Sequence, residues 1–438
     1  MRLKTATSVA VALLLCPSLR GSAQPAFEAA GAVPANRYLQ AGQLSGPDWA
    51  VEPKASNDGL TNTYTLTSRF GTWQARGQLQ VAARIREIQA LAELEKVSKS
   101  EVFVDAVKKS ATAPLELASN VVAKPVETVK GVPAGVGRWV KKTRFQVEET
   151  YHDTKEVVKK ETGEEDEGAA EEDAGMQEKM KKQAGAYVLD ELKISGAERR
   201  WYKDLGVDPY TDNEVLRKAV RSVARVEGLT SFGMRFSGLP SIPGAREMRK
   251  TLDLVWDTDP WELRLRNRKI LLAAGLSEET ARAFEDQPSL SLTVQTVLVD
   301  VLTALEGVKG RKHLLERALA VESRDDAQEL ATSVSLLLRL HRSGTPLREI
   351  LAGTQLPVAR TTQGDLVAVL VADAVFWTGE VAEAAERLAA TYAGETAGSR
   401  KLYVTGDVSS RAGSEAGKQG WKTVDRWPPA GSGGAESR

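Results

Sequence analysis

A mainly helical α+β protein is the fold class the sequence predicts, and three patterns carry that expectation. Between Glu198 and Arg342 amphipathic stretches follow one another across short polar turns, as in a bundle or irregular helical array. Ahead of them, Trp49 to Gly77 has the Thr- and Tyr-rich alternation of strands. Behind them, Pro357 to Val424 reads strand, strand, helix, strand, helix, strand, enough for a small sheet with helices on one face. The expected layout is a small N-terminal β-meander with helices, a central helical array, and a small C-terminal β-β-α-β-α-β subdomain. A chain of 438 residues exceeds one comfortable core, which agrees with such a division.

Taken in order, Arg2 and Lys4 precede an apolar run from Ala6 to Leu15, and Gly21-Ser22-Ala23 supplies small residues for signal peptidase. Residues 1–23 are thus expected to be a signal peptide cut after Ala23, which sends the protein to the periplasm or outside the cell. The single cysteine, Cys16, lies inside this segment, so the mature chain has no thiol for catalysis, disulfides or metal. Gln24 to Leu44 reads as a flexible lead-in. The first folded part is expected over 45–160. Asn57-Asp58-Gly59 signals its tight turn, and Tyr64, Leu66 and Ser68 alternate with Thr63, Thr65 and Thr67. A helix over 78–97 has Leu79, Ala82, Ile85, Ala92 and Val97 on one face and Arg84, Arg86, Glu87, Glu93 and Lys96 on the other. A second helix runs from Ser100 to Lys109, and Thr112 to Arg144 follows as short helices broken at Pro114, Pro125 and Pro133. That run ends in Arg138, Trp139, Lys141, Lys142 and Arg144, an aromatic among cations beside an apolar face. Such a face suits either internal packing or contact with a membrane or partner.

A charged helix to Lys160 leads to ETGEEDEGAAEED, which repels itself and buries nothing. An acidic flexible hinge is expected over 161–175. The helical domain is expected over 176–355. Leu205-Gly206 reads as a helix end, Thr211 to Glu214 as a capping box, and Asp259-Pro260-Trp261-Glu262 as a cap with a first-turn proline and returning glutamate. Ser231 to Gly244 is expected to be an ordered loop. Helices follow at 260–274, 277–286, 290–306, 310–320 and 323–342. The α+β subdomain occupies 356–427, with a hairpin through Gln363-Gly364, a helix over 373–392, a strand over 401–404, a helix over 409–419 and a strand over 421–424. A disordered tail is expected over 428–438.

The phrases NDGLTNTYTLTSRFGTW (57–73), KPVETVKGVPAGVGR (124–138) and WYKDLGVDPYTDN (201–213) resemble recurring phrases of a family of exported bacterial proteins with no assigned activity. The resemblance covers about half of the chain. It implies that both sides of the acidic stretch belong to one unit, and it implies nothing about a substrate.

Lys plus Arg equals Asp plus Glu at 59 each, so no overall field favours nucleic acid. No G-x-S-x-G elbow, H-E-x-x-H, Walker loop or dinucleotide glycine fingerprint is present. Glu148, His152 and Glu156 share a helical face at spacings of four and are the candidate metal ligands, against a plain solvated face. His313 with Glu316 is a similar pair. Asp204, Asp208 and Asp212 lack the glycine and terminal glutamate of a calcium loop and suit turn chemistry. Thr405 to Arg411 feeds a strand into a helix start, which suits capping or an anion. No catalytic residue and no cofactor is expected. The function expected is a non-catalytic binding or scaffolding protein of the cell envelope, its partner a protein or envelope component. The alternatives are a peripheral membrane-binding protein acting through 112–144 and a carboxylate-based hydrolase of an envelope polymer.

Overall fold

The computed structural model describes residues 27–100, 137–143, 147, 173–178, 192–226 and 245–429. The signal peptide, the helices expected before and after the proline-punctuated run, and the loop at 231–244 lie outside the described residues. So does the acidic stretch except for 173–175, which are helical, with Asp173 paired to Lys269 at 2.5 Å. The fold is α+β and mainly helical.

Five antiparallel strands form the N-terminal sheet: β1 (Ala32–Pro34), β2 (Trp49–Val51), β3 (Lys54–Asn57), β4 (Asn62–Ser68) and β5 (Gly71–Arg76), in the order β1-β3-β4-β2, with β5 paired along the other edge of β4. Between β2 and the 3-10 turn at Ala35–Arg37 lies a short helix, α1 (Ala41–Leu44). The alternation in β4 does what period two requires: Tyr64 and Leu66 are fully buried, and Leu66 alone is worth about 1.5–3 kcal/mol. Asn57-Asp58-Gly59 makes the β3–β4 turn, with Gly59 at φ +101° and Asp58 Oδ1 accepting from the amides of Leu60 and Thr61. The expected flexible lead-in is corrected here. Val33, Ala35 and Leu39 are buried, and β1 pairs with β3. A three-residue strand with one inward side chain is too short to show a period.

Helix α2 (Gly77–Ser98) is sandwiched. Val81, Ile85 and Ile88 pack into the N-terminal sheet, while Leu91, Leu94 and Val97 join α4 (Gly196–Leu205) and α5 (Glu214–Ala224). Arg86 and Glu87, expected on a solvated face, are buried because the loop before α5 covers them. Another four-residue helix, α3 (Gly137–Val140), lies between α2 and α4 in the chain. Ser195 and Glu198 form a capping box on α4, and Gly206 ends it at φ +65°. The cap of α5 is Asn213, whose side chain accepts from Leu216 N. Thr211, expected to cap it, instead donates to Glu87.

Six helices make the array: α6 (Ala245–Asp257), α7 (Pro260–Ala273), α8 (Glu278–Glu285), α9 (Leu292–Ala304), α10 (Lys312–Leu319) and α11 (Arg324–Arg342). Asp259 caps α7 with Pro260 in the first turn, as its residue types demand. Buried nearly all round, α9 packs against α7 and α11.

The second sheet has β6 (Leu347–Leu351), β7 (Val358–Thr361), β8 (Leu366–Leu370), β10 (Arg400–Val404) and β12 (Lys422–Val424), in the order β12-β10-β8-β7-β6. The first hairpins are antiparallel, and β10 runs parallel to both β8 and β12. A small parallel pair, β9 (Ala374–Val375) with β11 (Asp407–Val408), stands beside it. Helix α12 (Gly379–Thr391) joins β9 to β10, and α13 (Ser410–Lys418) joins β11 to β12.

Three expectations are corrected in this region. Helices cover both faces of the sheet, not one: Val367 and Val369 share the core of the array, whereas Leu366, Ala368 and Leu370 share that of α12 and α13. An unbroken apolar strand, all five residues of it buried, leaves no face for water. The boundary expected at 356 falls inside this sheet, because β6 is part of it and Leu347 and Ile350 belong to the array core. The helix expected from Asp373 starts at Gly379, capped by Thr378; Asp373 is buried and precedes a strand.

Candidate functional site

The first turn of α2 meets the C-terminal sheet at Asp373, one residue before β9. Its carboxylate accepts from Asn62 N at 2.9 Å and from Gln78 N at 3.3 Å, so it caps α2 from a distant part of the chain. Burial pushes the Asp373 carboxyl up to about 6, against the amides of Asn62 and Gln78 that favour its ionised form. Around it, Asn57 Nδ2 donates to Asn62 Oδ1 at 2.7 Å, and Asn62 Nδ2 donates to Tyr64 Oη at 2.9 Å.

Glu329, on α11, is the second buried acid of this joint. Arg138 Nη2 lies 2.8 Å from one of its oxygens and Arg76 Nε 3.0 Å from the other; Arg76 also reaches Asp58 at 2.6 Å. Burial raises the Glu329 pKa while both guanidiniums pull it down, and Glu329 and Asp58 together hold Arg76 firmly charged against its own burial. Asp373 and Glu329 line one cleft of about 90 Å³ with Arg76, Gln78, Asp325 and Gln328.

That cleft continues into a larger groove of about 200 Å³, the two sharing Leu79, Gln80, Asp325, Gln328 and Thr332. The groove's walls come from α2, the 206–212 loop, residues 289–294 and the start of α11. Each carboxylate that lines it is engaged. Glu87 accepts from Arg84, Thr211 and Asn213; Asp208 from Tyr210 N and Thr293; Asp212 from Arg84; and Asp325 from Gln80 at 2.5 Å.

Of the residues singled out in the sequence, Arg138 and Trp139 are inside. Trp139 is 3% exposed and packs under α12 in the C-terminal core, and Arg138 pairs with Glu329 and Asp326. Residues 139–143 are strapped alongside 353–356 by backbone bonds such as Leu356 N to Trp139 O at 2.7 Å. Of the two roles this face suits, these two side chains take internal packing rather than contact with a membrane or partner. Lys141 and Lys142 are exposed, Lys141 pairing with Glu322 at 2.9 Å. Arg144 and the candidate metal ligands Glu148, His152 and Glu156 lie outside the described residues. Among the described residues no three His, Cys, Asp or Glu side chains are grouped to hold a metal ion. His313 Nδ1 stands 2.8 Å from Glu316, whose other oxygen accepts from Val147 N. Ser409 caps α13 and donates to Glu28 at 2.6 Å, so a carboxylate of the chain itself sits at that helix start.

Asp373, Glu329 and Arg76 escaped sequence reasoning. One signal existed: an acid immediately after the apolar run LVAVLVA marks the carboxyl end of a buried strand, where α/β proteins place polar groups. Comparison with family models, with curated proteins and with solved structures found no match to this chain.

Proposed function

We propose that this is an exported, non-catalytic binding protein of the cell envelope, which takes its protein or envelope partner in the groove between α2 and α11. The observation that carries the reading is that every groove carboxylate is already held by a cation, a hydroxyl, an amide or a side-chain NH₂ group. General acid–base chemistry needs a carboxyl free to reach the substrate, whereas a recess with fixed polar walls suits recognition. The N-terminal leader read from the sequence supports export. Burial of Arg138 and Trp139 removes the two central side chains of the membrane alternative.

Photo-crosslinking in the native cells tests the reading, with a benzophenone amino acid in place of the exposed groove residue Gln328 and, as a control, in place of Lys418 on α13. One discrete adduct is expected from position 328 and none from 418. It is expected to vanish when Ser289→Trp narrows the groove. Equal labelling from both positions defeats the proposal.

The hydrolase reading keeps one specific support, the pairing of Glu329 with an Asp373 raised to about 6 in a shared cleft. Soluble fragments released from purified cell-wall or envelope polysaccharide by the wild type, and not by Asp373→Asn, would put that reading first.

A further inference from the structure

Two small recesses differ in their walls. The one under α12 and α13, about 70 Å³ and walled by Trp377, Trp421 and Leu388 among others, presents no polar surface. The cleft beside Asp373, about 90 Å³, is lined largely by polar side chains and leaves two of them unfinished. The first is Asp373 itself. Glu329 has Arg76 and Arg138, and Asp58 has Arg76, but among the described residues no cation stands within salt-bridge distance of Asp373, which is 4% exposed. The amides of Asn62 and Gln78 offset only part of the hydration that a buried carboxylate gives up, and such groups are ordinarily paired with a cation. The second is Thr61, also 4% exposed, whose Oγ1 is buried without a hydrogen-bond partner. A methyl added at Gly77, another lining residue, would lie 3.5 Å from Thr61 Cγ2 and 3.8 Å from Asp373 Oδ2, so both unfinished side chains border one corner of the cleft.

Charge and size select the occupant. Asp58, Asp325, Asp326, Glu329 and Asp373 stand against the guanidiniums of Arg76 and Arg138. An anion entering the cleft would face Asp325, Glu329 and Asp373 with Arg76 already shared by two acids, and an alcohol would leave the Asp373 charge unopposed. A primary ammonium brings one positive charge and three donors, enough for a carboxylate and a hydroxyl. An engineered cavity of ~150 Å³ holds the six carbons of benzene, so the cleft takes about three or four atoms. That is an ammonium with its first methylenes, and too little for a guanidinium on its stem. Leu79 lines both the cleft and the α2–α11 groove of about 200 Å³, so the rest of an alkyl chain runs along it into the groove. We infer that the cleft takes a primary alkylammonium group, the charged end of the partner bound in the groove, an inference that rests on the groove reading for the carrier of that group.

The test titrates the full mature chain with n-butylammonium chloride at pH 7 and follows the butyl protons by saturation-transfer NMR. Saturable binding is expected, with n-butanol and n-butyrate at least tenfold weaker. Asp373→Asn keeps the shape, removes the charge and is expected to weaken the amine at least tenfold. Should that variant unfold by circular dichroism, pH takes its place. Burial holds the Asp373 carboxyl at about 6, so the wild type is expected to bind about tenfold more weakly at pH 5 than at pH 7. The charged groups around it are Glu329 and Asp325 on α11 and Arg76 on β5, and the phenols of Tyr38 and Tyr64 feel its charge. Thr61→Val removes the orphan hydroxyl and is expected to weaken the amine about fivefold, as loss of one net hydrogen bond would. Binding that never saturates, that is matched by butyrate, or that is unchanged in Asp373→Asn overturns the inference. The photo-adduct from position 328 separates it from the groove reading. An adduct suppressed by saturating n-butylammonium is the result expected, and one that persists at saturation overturns the assignment of the ammonium to the partner. An adduct without amine binding defeats the ammonium alone, and saturable amine binding with no adduct defeats the groove reading alone.

Discussion

The polar joint at Asp373 and the apolar cavity under α12 and α13 are neighbours, and Leu60 belongs to both. Its carbonyl accepts from Asp373 N at 3.0 Å, and its side chain lines the cavity. Yet the two are finished in opposite ways. The joint assembles Asp58, Asp326, Glu329 and Asp373 and closes each with a guanidinium or an amide. The cavity presents no polar surface, and the indole N–H groups of Trp139 and Trp421 are buried without a partner. Carboxylates held on several sides rigidify a joint, and their partners hold distant parts of the chain together. An apolar space with isolated donors has no such structural reason for its donors.

Removing the acid shared by two cations would break the comparison most forcefully. Glu329→Ala leaves Arg76 and Arg138 in a buried site without their common partner and is expected to cost about 3–5 kcal/mol in urea denaturation. A loss under about 1 kcal/mol would mean that the joint is not held by charge.

Asp373→Ala comes next. Two buried amides, of Asn62 and Gln78, lose their acceptor, for an expected loss of about 2–4 kcal/mol at pH 4. The pH dependence sharpens the contrast. Because the folded pKa of Asp373 is raised from 3.8 to about 6, its contribution is fully present below pH 3.8 and is lost as pH rises through about 6. The gap between wild type and variant should thus narrow by up to about 3 kcal/mol between pH 4 and pH 7. A constant gap would refute the raised pKa.

The smallest effect lies on the apolar side. Thr378 accepts from Val381 N and caps α12, one wall of the cavity, so Thr378→Ala should cost about 1 kcal/mol by thermal denaturation and leave the joint intact.

How much of this was legible follows from the range of each interaction. Regular periods are written locally: Tyr64 and Leu66 alternate into the sheet, Asp259-Pro260 opens α7, and Lys401 to Val404 is a strand. The sandwiching of α2 was not legible, since Arg86 and Glu87 look like a wet face until residues 211–213 arrive on them. Nor was the joint: Asp373 stands 311 and 295 positions from the amides it holds, and Glu329 stands 253 and 191 from Arg76 and Arg138. Which of its two expected roles Trp139 takes was not legible either, because its cover, α12, lies more than two hundred residues downstream.

The contact of Glu28 with the far end of the chain has a consequence for the order of assembly. Glu28 N donates to Trp377 O at 2.8 Å, and its carboxylate accepts from Trp377 N and from Ser409, 381 positions later. Contacts of such sequence separation must close a very long loop before they return any free energy, which makes them late to form. At about 5–20 residues per second, roughly 20–75 s of synthesis separates Glu28 from Ser409. The first sheet therefore waits, without its last contacts, for the residues made nearly at the end. The N-terminal end at Glu28 is thus fixed in place only once Ser409 has been made, so its protection from exchange and proteolysis comes last.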